Sequence, residues 1–567
     1  MPEAEDYPLS FAQKRLWLQE QLIEGRTAAY NVSLAVRLRG ALRPDALEQA
    51  LRATMQRHPV LRTRFRAGEH EPRQTIVDAP AWAIERWPDE GDAGFRARAE
   101  ALASQTFALD RDLPVRAAWM PLGHEGAGLV LVFHHLACDG GSVPILLADL
   151  QRFYVAAERG DTLTPDAQTT RYVDYAAWHR VWLEGEAGQR AKAYWVRQFA
   201  ELPERLELPA DFPRPAVQDF SGRHLHFSLG RDARDRLVQL GQRAGASLFM
   251  TLHAAVAAFL HRYTSQSDIV IGVPVEGRFH PALEGVVGFF VNTLALRTRV
   301  SAHEPFSTLL RRVQGTVLDG FEHQGCPFDV LVESLPLERD LSRPPLFNVM
   351  MGLNRAEDET LRLGAAAAEA LPLALTASKV DLTFHFVEKA DGLELDLEYA
   401  TALFTEARTR RLAGYFTTLL DAIAATPDTP VGDLSLMPAR ELRARVASFN
   451  PPPAPYPRER SLADLFQEQA RLRPDADAVV FADRTFSYAE IDRLSERIAD
   501  HITAKLGALK PEEPIALQVE RSERMIVALL GILKAGGCYL PINPGTPHER
   551  VKTLLAQAGV RLRLVDD

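Results

Sequence analysis

Nine residues, GLVLVFHHL (Gly128 to Leu136), place the tightest limit on the fold. A run without polar–apolar alternation reads as a strand buried on both faces, and such a strand needs a layer of structure on either side. The chain around it supplies the layers. NVSLAVRLRG alternates over Val32 to Leu38, as a half-buried strand does. DALEQALRATMQRH carries apolar residues at three- and four-residue spacing, the pattern of an amphipathic helix. SFAQKRLWLQEQL opens on Ser10 and SLFMTLHAAVAAFLHRYT on Ser247, both suited to cap a helix, and DIVIGVPVEG (Asp268 to Gly277) is a strand running into a turn. The expected fold class is α/β, in α+β layers.

A chain of 567 residues is too long for one hydrophobic core and predicts several domains. Proline marks the seams. FNPPPAPYPRER (Phe449 to Arg460) holds five prolines and reads as a semi-rigid spacer. LPADFPRPAVQD (Leu208 to Asp219) reads as a crossing between two lobes of one larger domain. The expected divisions are a first lobe over 1–178, a second over 179–445, a linker over 446–460 and a last segment over 461–567.

The apolar run ends in FHHLACDGGS (Phe133 to Ser142), and VPILLADLQRFY follows, with Ser142 as the expected N-cap and Pro144 in the first turn. The histidines therefore stand between a buried strand and a helix start. Adjacent strand side chains point to opposite faces, so His134 and His135 do not share a metal ion, and no further cluster such as HExxH offers ligands. Two readings remain: core histidines beside a turn aspartate, or one histidine aimed into a cavity to act on a proton. A buried Asp139 requires a cationic partner. RHPVLRTRF (Arg57 to Phe65) is arginine-dense and apolar between its charges, which makes Arg62 the first candidate and Arg57 the second.

The net charge of −10 argues against nucleic acid and against an anionic membrane surface as partners. Three cysteines make no disulfide framework and suit a reducing cytoplasm. The N-terminus lacks an apolar signal segment, and the longest apolar run, Met525 to Leu533, is too short to span a bilayer.

HHLACDG resembles the HHxxxDG motif of nonribosomal peptide synthetase condensation domains, and six further segments resemble that family's motifs in order. They are SFAQKRLW (Ser10 to Trp17), RHPVLRTRF, YVDYAAW (Tyr172 to Trp178), GFFVNT (Gly288 to Thr293), HQGCPFD (His323 to Asp329) and RDLSRPPLF (Arg339 to Phe347). The departures are Pro59 for the usual Glu, Gly141 for Trp or Val, and Gly325 with Cys326 in the sixth motif. The resemblance implies two chloramphenicol-acetyltransferase-like lobes in a V shape. It implies amide bond formation between a donor acyl or peptidyl thioester and the amine of an acceptor aminoacyl thioester. Both ride on phosphopantetheine arms supplied by partner carrier domains, with no cofactor or metal held by the chain itself.

His135 is then the expected catalytic group, as general base or as the group that orients the amine, with His134 packed behind it. Asp139 is structural, Gly140 and Gly141 keep the reaction centre open, and Asn292 helps lock the interface between lobes. The absence of DxxxxD argues against a cyclising variant, and the direct run into the next segment argues against an epimerisation domain. The motif texture suits an L-configured donor; a starter domain taking a fatty acyl group and a silent recruitment scaffold are the alternatives. FSYAEIDRLSERIA (Phe486 to Ala499) and LKAGGCYLPINP (Leu533 to Pro544) resemble the first core motifs of adenylation domains. A phosphate-cradling loop does not follow them, so residues 461–567 are expected to be an inert α/β fragment whose remaining partner is the rest of that domain.

Overall fold

The computed structural model describes the chain apart from residues 1–5, 23–27, 79, 124–125, 167–169, 339, 357–360, 375–376, 451–453 and 567. Arg339 of RDLSRPPLF and three prolines of the expected linker thus lie outside the described residues. The chain forms two compact units, Met1–Val446 and Ala447–Asp567.

The elements that position the site are, in chain order, α1 (Phe11–Leu22), β1 (Asn31–Arg39), α2 (Pro44–Arg57), β2 (Val115–Pro121), β3 (Gly126–His134), α3 (Ser142–Arg159) and α4 (Tyr172–Glu184). They continue with β4 (Gly222–Ser228), α5 (Leu248–Thr264), β5 (Asp268–Val275), β6 (Asn292–Arg299), β7 (Val349–Arg355), β8 (Ala366–Ala370), β9 (Leu382–Lys389), β10 (Gly392–Ala400) and α6 (Glu406–Ala425).

Two six-stranded sheets build the larger unit. In the first, the apolar strand β3 lies between β1 and β2, antiparallel to both, and is buried along nearly its whole length. Its sheet is extended by strands from far downstream: β8 pairs with β1, Ala367 opposite Arg39, and the short strand Arg362–Leu363 forms the edge beyond it. The first core likewise recruits Val287, Phe289, Phe290 and Leu363. The two halves are thus interleaved rather than sequential, and the division expected between residues 178 and 179 falls inside the continuous helix α4.

The second sheet runs β6-β5-β7-β9-β10-β4. Strand alternation gives it two different faces. Phe384, Phe386, Leu395 and Leu397 are fully buried in a core that includes α5 and α6 residues, with Phe384 and Phe416 rings 5.1 Å apart. The opposite face is polar: His385, Asp396 and His226 stand in register across three strands, and Thr383, Glu398 and His224 in the next row.

Ser247 caps α5 as expected, its hydroxyl accepting from Met250 N at 3.2 Å. Ser142 is not the cap of α3. Asp139 Oδ1 takes the Ser142 N–H at 2.9 Å, and this frees the serine hydroxyl for other bonds. The smaller unit contains α7 (Tyr488–Leu506), β11 (Pro514–Gln518), α8 (Glu523–Lys534), β12 (Cys538–Pro541) and β13 (Arg563–Val565). The three strands form a parallel sheet with β11 central, packed on α7 and α8 around Ile502, Ile515 and Ile532.

Candidate active site

The turn after β3 is held from several directions at once. His135 N–H donates to the Tyr30 carbonyl at 2.8 Å, next to the start of β1. Gln13, fully buried, donates from Nε2 to the Leu136 carbonyl at 2.9 Å. Tyr172 donates its hydroxyl to the Phe289 carbonyl at 2.6 Å, and Ser10 lies 2.8 Å from the same hydroxyl. Segments from four of the sequence motifs therefore meet around one turn.

His134 points away from the site. Its Nδ1 accepts the Leu136 N–H at 3.2 Å, so Nε2 carries the proton and faces Glu20 Oε1 at 3.8 Å. Phe107 meets its ring edge-on at 5.6 Å. His135 points the other way, its ring 4.8 Å from that of Phe289, with backbone groups of His135 and Cys138 beside the imidazole. Burial holds its proton affinity well below the usual histidine value, and the nearby charge of Lys379 acts in the same direction. The imidazole is accordingly neutral at neutral pH.

Asp139 is fully buried and saturated with donors. Oδ1 accepts from Ser142 N, from Ser142 Oγ at 2.7 Å and from Arg278 Nη2 at 3.0 Å; Oδ2 accepts from Phe290 N at 2.9 Å and Arg278 Nη1 at 3.3 Å. The cationic partner is therefore Arg278, correcting the expectation of Arg62 or Arg57. Arg62 ends a short 3-10 turn and donates to the Val77 carbonyl and to Asp78. Arg57 leaves the last turn of α2 toward Asp149 on α3, at 2.9 Å. Both arginines serve neighbouring elements, whereas Arg278 arrives from the turn after β5 and lies over the Phe290 ring at 4.4 Å.

Gly141 lets the guanidinium lie close, since a Cβ there would stand 2.7 Å from Arg278 Nη1 and shift that side chain, while a Cβ on the exposed Gly140 would meet nothing. Ser142 Oγ accepts from Gly288 N at 3.0 Å and ties α3 to the GFFVNT segment. Asn292 does not bridge the two halves. Its Nδ2 donates to the Gln324 and Cys326 carbonyls at 2.8 and 2.7 Å and its Oδ1 accepts from Phe328 N, fixing the HQGCPFD loop to β6. His179, one residue past YVDYAAW, holds the same loop through the Gly325 carbonyl at 2.9 Å.

Ala28, Ala29 and Asn31, flanking Tyr30, line a cavity of about 150 Å³ completed by Ala103 and Ser104 on one side and by Ala377, Lys379, Glu398 and His224 on the other. Residues from both sheets' neighbourhoods thus enclose a space beside the turn that carries His135. Among the described residues no group of three or more His, Cys, Asp or Glu side chains is arranged to hold a metal ion, and no single helix is long and apolar enough to cross a membrane. Sequence reasoning missed Arg278 and Lys379, each a single residue without a local pattern.

The condensation-domain family model matches residues 3–444, and the AMP-binding enzyme model matches residues 466–567. Gramicidin S synthase 2 of Aneurinibacillus migulanus is 34% identical over 100% of this chain, which spans 12% of that protein's length. The X-domain from teicoplanin biosynthesis is 30% identical, with a TM-score of 0.71 over 77% of this chain and 98% of the X-domain chain. A four-domain nonribosomal peptide synthetase solved with AMP and glycine superposes with a TM-score of 0.79 over 99% of this chain and 43% of its own, at 22% identity.

Proposed function

Since the chain belongs to the condensation-domain family, we propose that it joins a donor acyl or peptidyl thioester to the amine of an acceptor aminoacyl thioester, as part of a longer nonribosomal peptide synthetase. The observation that carries this reading is His135: a neutral imidazole against the Phe289 ring, on a turn bonded to Tyr30 between the cavity-lining Ala29 and Asn31, and fixed from behind by the Asp139–Arg278 clamp. The chain holds no phosphopantetheine of its own in this reading. The arms come from donor and acceptor carrier domains, which are its partners together with the rest of the adenylation region begun at residues 466–567.

Thioesters are already activated, so the main task is placing amine and carbonyl at attack distance, worth up to roughly 7–11 kcal/mol. As the amine attacks, its proton becomes acidic, and neutral His135 accepts it; general base action contributes about 10²–10⁴ in rate. Asp139, saturated with donors, stays out of proton transfer and holds the turn. The donor is an L-configured aminoacyl or peptidyl group, with a fatty acyl group as the starter alternative. The three free cysteines suit a reducing compartment such as the cytoplasm.

A second reading, a recruiting module, is favoured by the 30% identical X-domain, which was also solved in complex with OxyB. Intact-protein mass spectrometry separates the two. Two separately loaded carrier domains are mixed with this chain or with its His135→Ala variant. Transfer onto the acceptor that the variant slows supports condensation, and the donor accepted separates peptidyl from fatty acyl use. Absence of transfer with folded protein and verified loading supports recruitment.

A further inference from the structure

Lys379 makes no ion pair among the described residues, although the Glu398 carboxylate is its neighbour. Its backbone is pinned on both sides, N–H donating to Glu398 Oε1 at 3.2 Å and the carbonyl accepting from Gln218 Nε2 at 2.8 Å. Its ammonium lies 5.4 Å from the centre of the Tyr30 ring, and Tyr30 is the residue whose carbonyl holds His135 N–H. The neighbouring carboxylate of Glu398 is committed instead to Ser378 Oγ at 2.8 Å and to the Lys379 backbone. The side chain lines the cavity described above.

A partly buried ammonium whose neighbouring carboxylate is engaged elsewhere is under-compensated, and the penalty is relieved when further negative charge reaches it. We propose that Lys379 is a further catalytic residue: its ammonium meets the oxyanion that develops on the donor carbonyl as the acceptor amine attacks. The assignment rests on the condensation reading. The amine lone pair forms the C–N bond while the carbonyl pair moves onto oxygen. That pair returns as the C–S bond breaks and the thiolate leaves, and the amine proton passes through His135 to the sulfur. Lys379 is not consumed. It acts because its attraction is stronger to the charged oxygen than to the neutral carbonyl.

The same charge reaches His135. After burial, Lys379 is the largest influence lowering the proton affinity of that imidazole. Lys379 itself is held below the usual lysine value by burial and by Arg15, with Glu398 opposing. One ammonium thus adds to burial in keeping the base unprotonated and awaits the negative charge that the reaction creates.

The test uses the full chain, two loaded carrier domains and single-turnover mass spectrometry, with Lys379→Met and Lys379→Arg. Lys379→Met is expected to slow bond formation by about 10²–10³ while leaving the half-saturating acceptor-carrier concentration within about threefold. Lys379→Arg, which keeps the charge, retains most of the rate. In Lys379→Met the acid limb of the rate profile moves to higher pH, because the cation that suppressed protonation of His135 is gone; a purely structural lysine would leave that limb in place. Should Lys379→Met fail to fold by circular dichroism, Lys379→Gln and Lys379→Arg decide the matter by the same two readouts. Native-like rates or an unmoved acid limb, in a native protein that transfers, overturn the role of Lys379 alone. No transfer by the native protein overturns the condensation reading and this assignment with it.

Discussion

Asp139 and Arg278, 139 residues apart in the chain, form a two-pronged ion pair at 3.0 and 3.3 Å, with the carboxylate fully buried and the guanidinium side chain 7% exposed. It is the bolt between the turn after β3 and the turn after β5. Removing one member leaves an uncompensated buried charge, so Arg278→Ala or Asp139→Ala is expected to destabilise the larger unit by about 3–5 kcal/mol. Arg278→Lys should recover little, because an ammonium cannot reproduce the paired geometry. Urea unfolding followed by fluorescence checks this; a loss below about 1 kcal/mol in Arg278→Ala would refute the buried-charge argument.

The rate profile should report the neutrality of His135. Its folded-state proton affinity is lowered by burial, so the imidazole remains able to accept a proton well below pH 6.5, the ordinary histidine value. The acid limb of the transfer rate is expected clearly below that pH, and His135→Ala should lower the plateau by about 10²–10⁴. An acid limb at or above pH 6.5 would contradict the burial argument.

Much of this site is legible in the sequence because its parts have local signatures. The end of a doubly buried strand sets His135 on the face opposite His134, and Gln13, Tyr172 and Asn292 sit in patterned segments. The rest depends on closure over long sequence distances. Nothing in GRFHP announces that Arg278 returns to Asp139, and Arg57 and Arg62 were the better local candidates until α3 and residues 77–78 claimed them. AAAEA carries too few large apolar residues to signal a strand, yet β8 extends the first sheet, because the open edge of β1 selects it. The polar face of the second sheet is likewise visible only once β4, β9 and β10 are in register.

Gly325, a departure from the family's usual residue, has a structural reason. A Cβ at this position would stand 2.5 Å from the Trp182 ring, and the Gly325 carbonyl accepts from His179. Gly325→Asp is expected to cost about 1–3 kcal/mol through overpacking, and Trp182→Ala in the same chain should recover part of the loss. Thermal unfolding of the single and double variants measures the coupling; strictly additive effects would show that the ring and the glycine do not depend on each other.

His253 gives the larger unit an acid sensitivity separate from the site. It lies fully buried in α5, neither ring nitrogen has a partner, and burial lowers its pKa to about 4. Above pH 6.5 both folded and unfolded chains carry the neutral ring, and stability does not depend on it. Between pH 6.5 and 4 the unfolded chain takes up a proton that the folded chain refuses, so stability falls as pH falls, by about 3 kcal/mol in total from this residue. Burying the two nitrogens unpaired adds a cost at every pH. His253→Leu, close in volume and apolar like the rest of its helix, is therefore expected to stabilise the chain at pH 7.5 and to stabilise it further at pH 5. Denaturant unfolding at both values tests the sign. A variant whose gain is the same at the two pH values would show that protonation of His253 is not what the acid side of the stability curve reports.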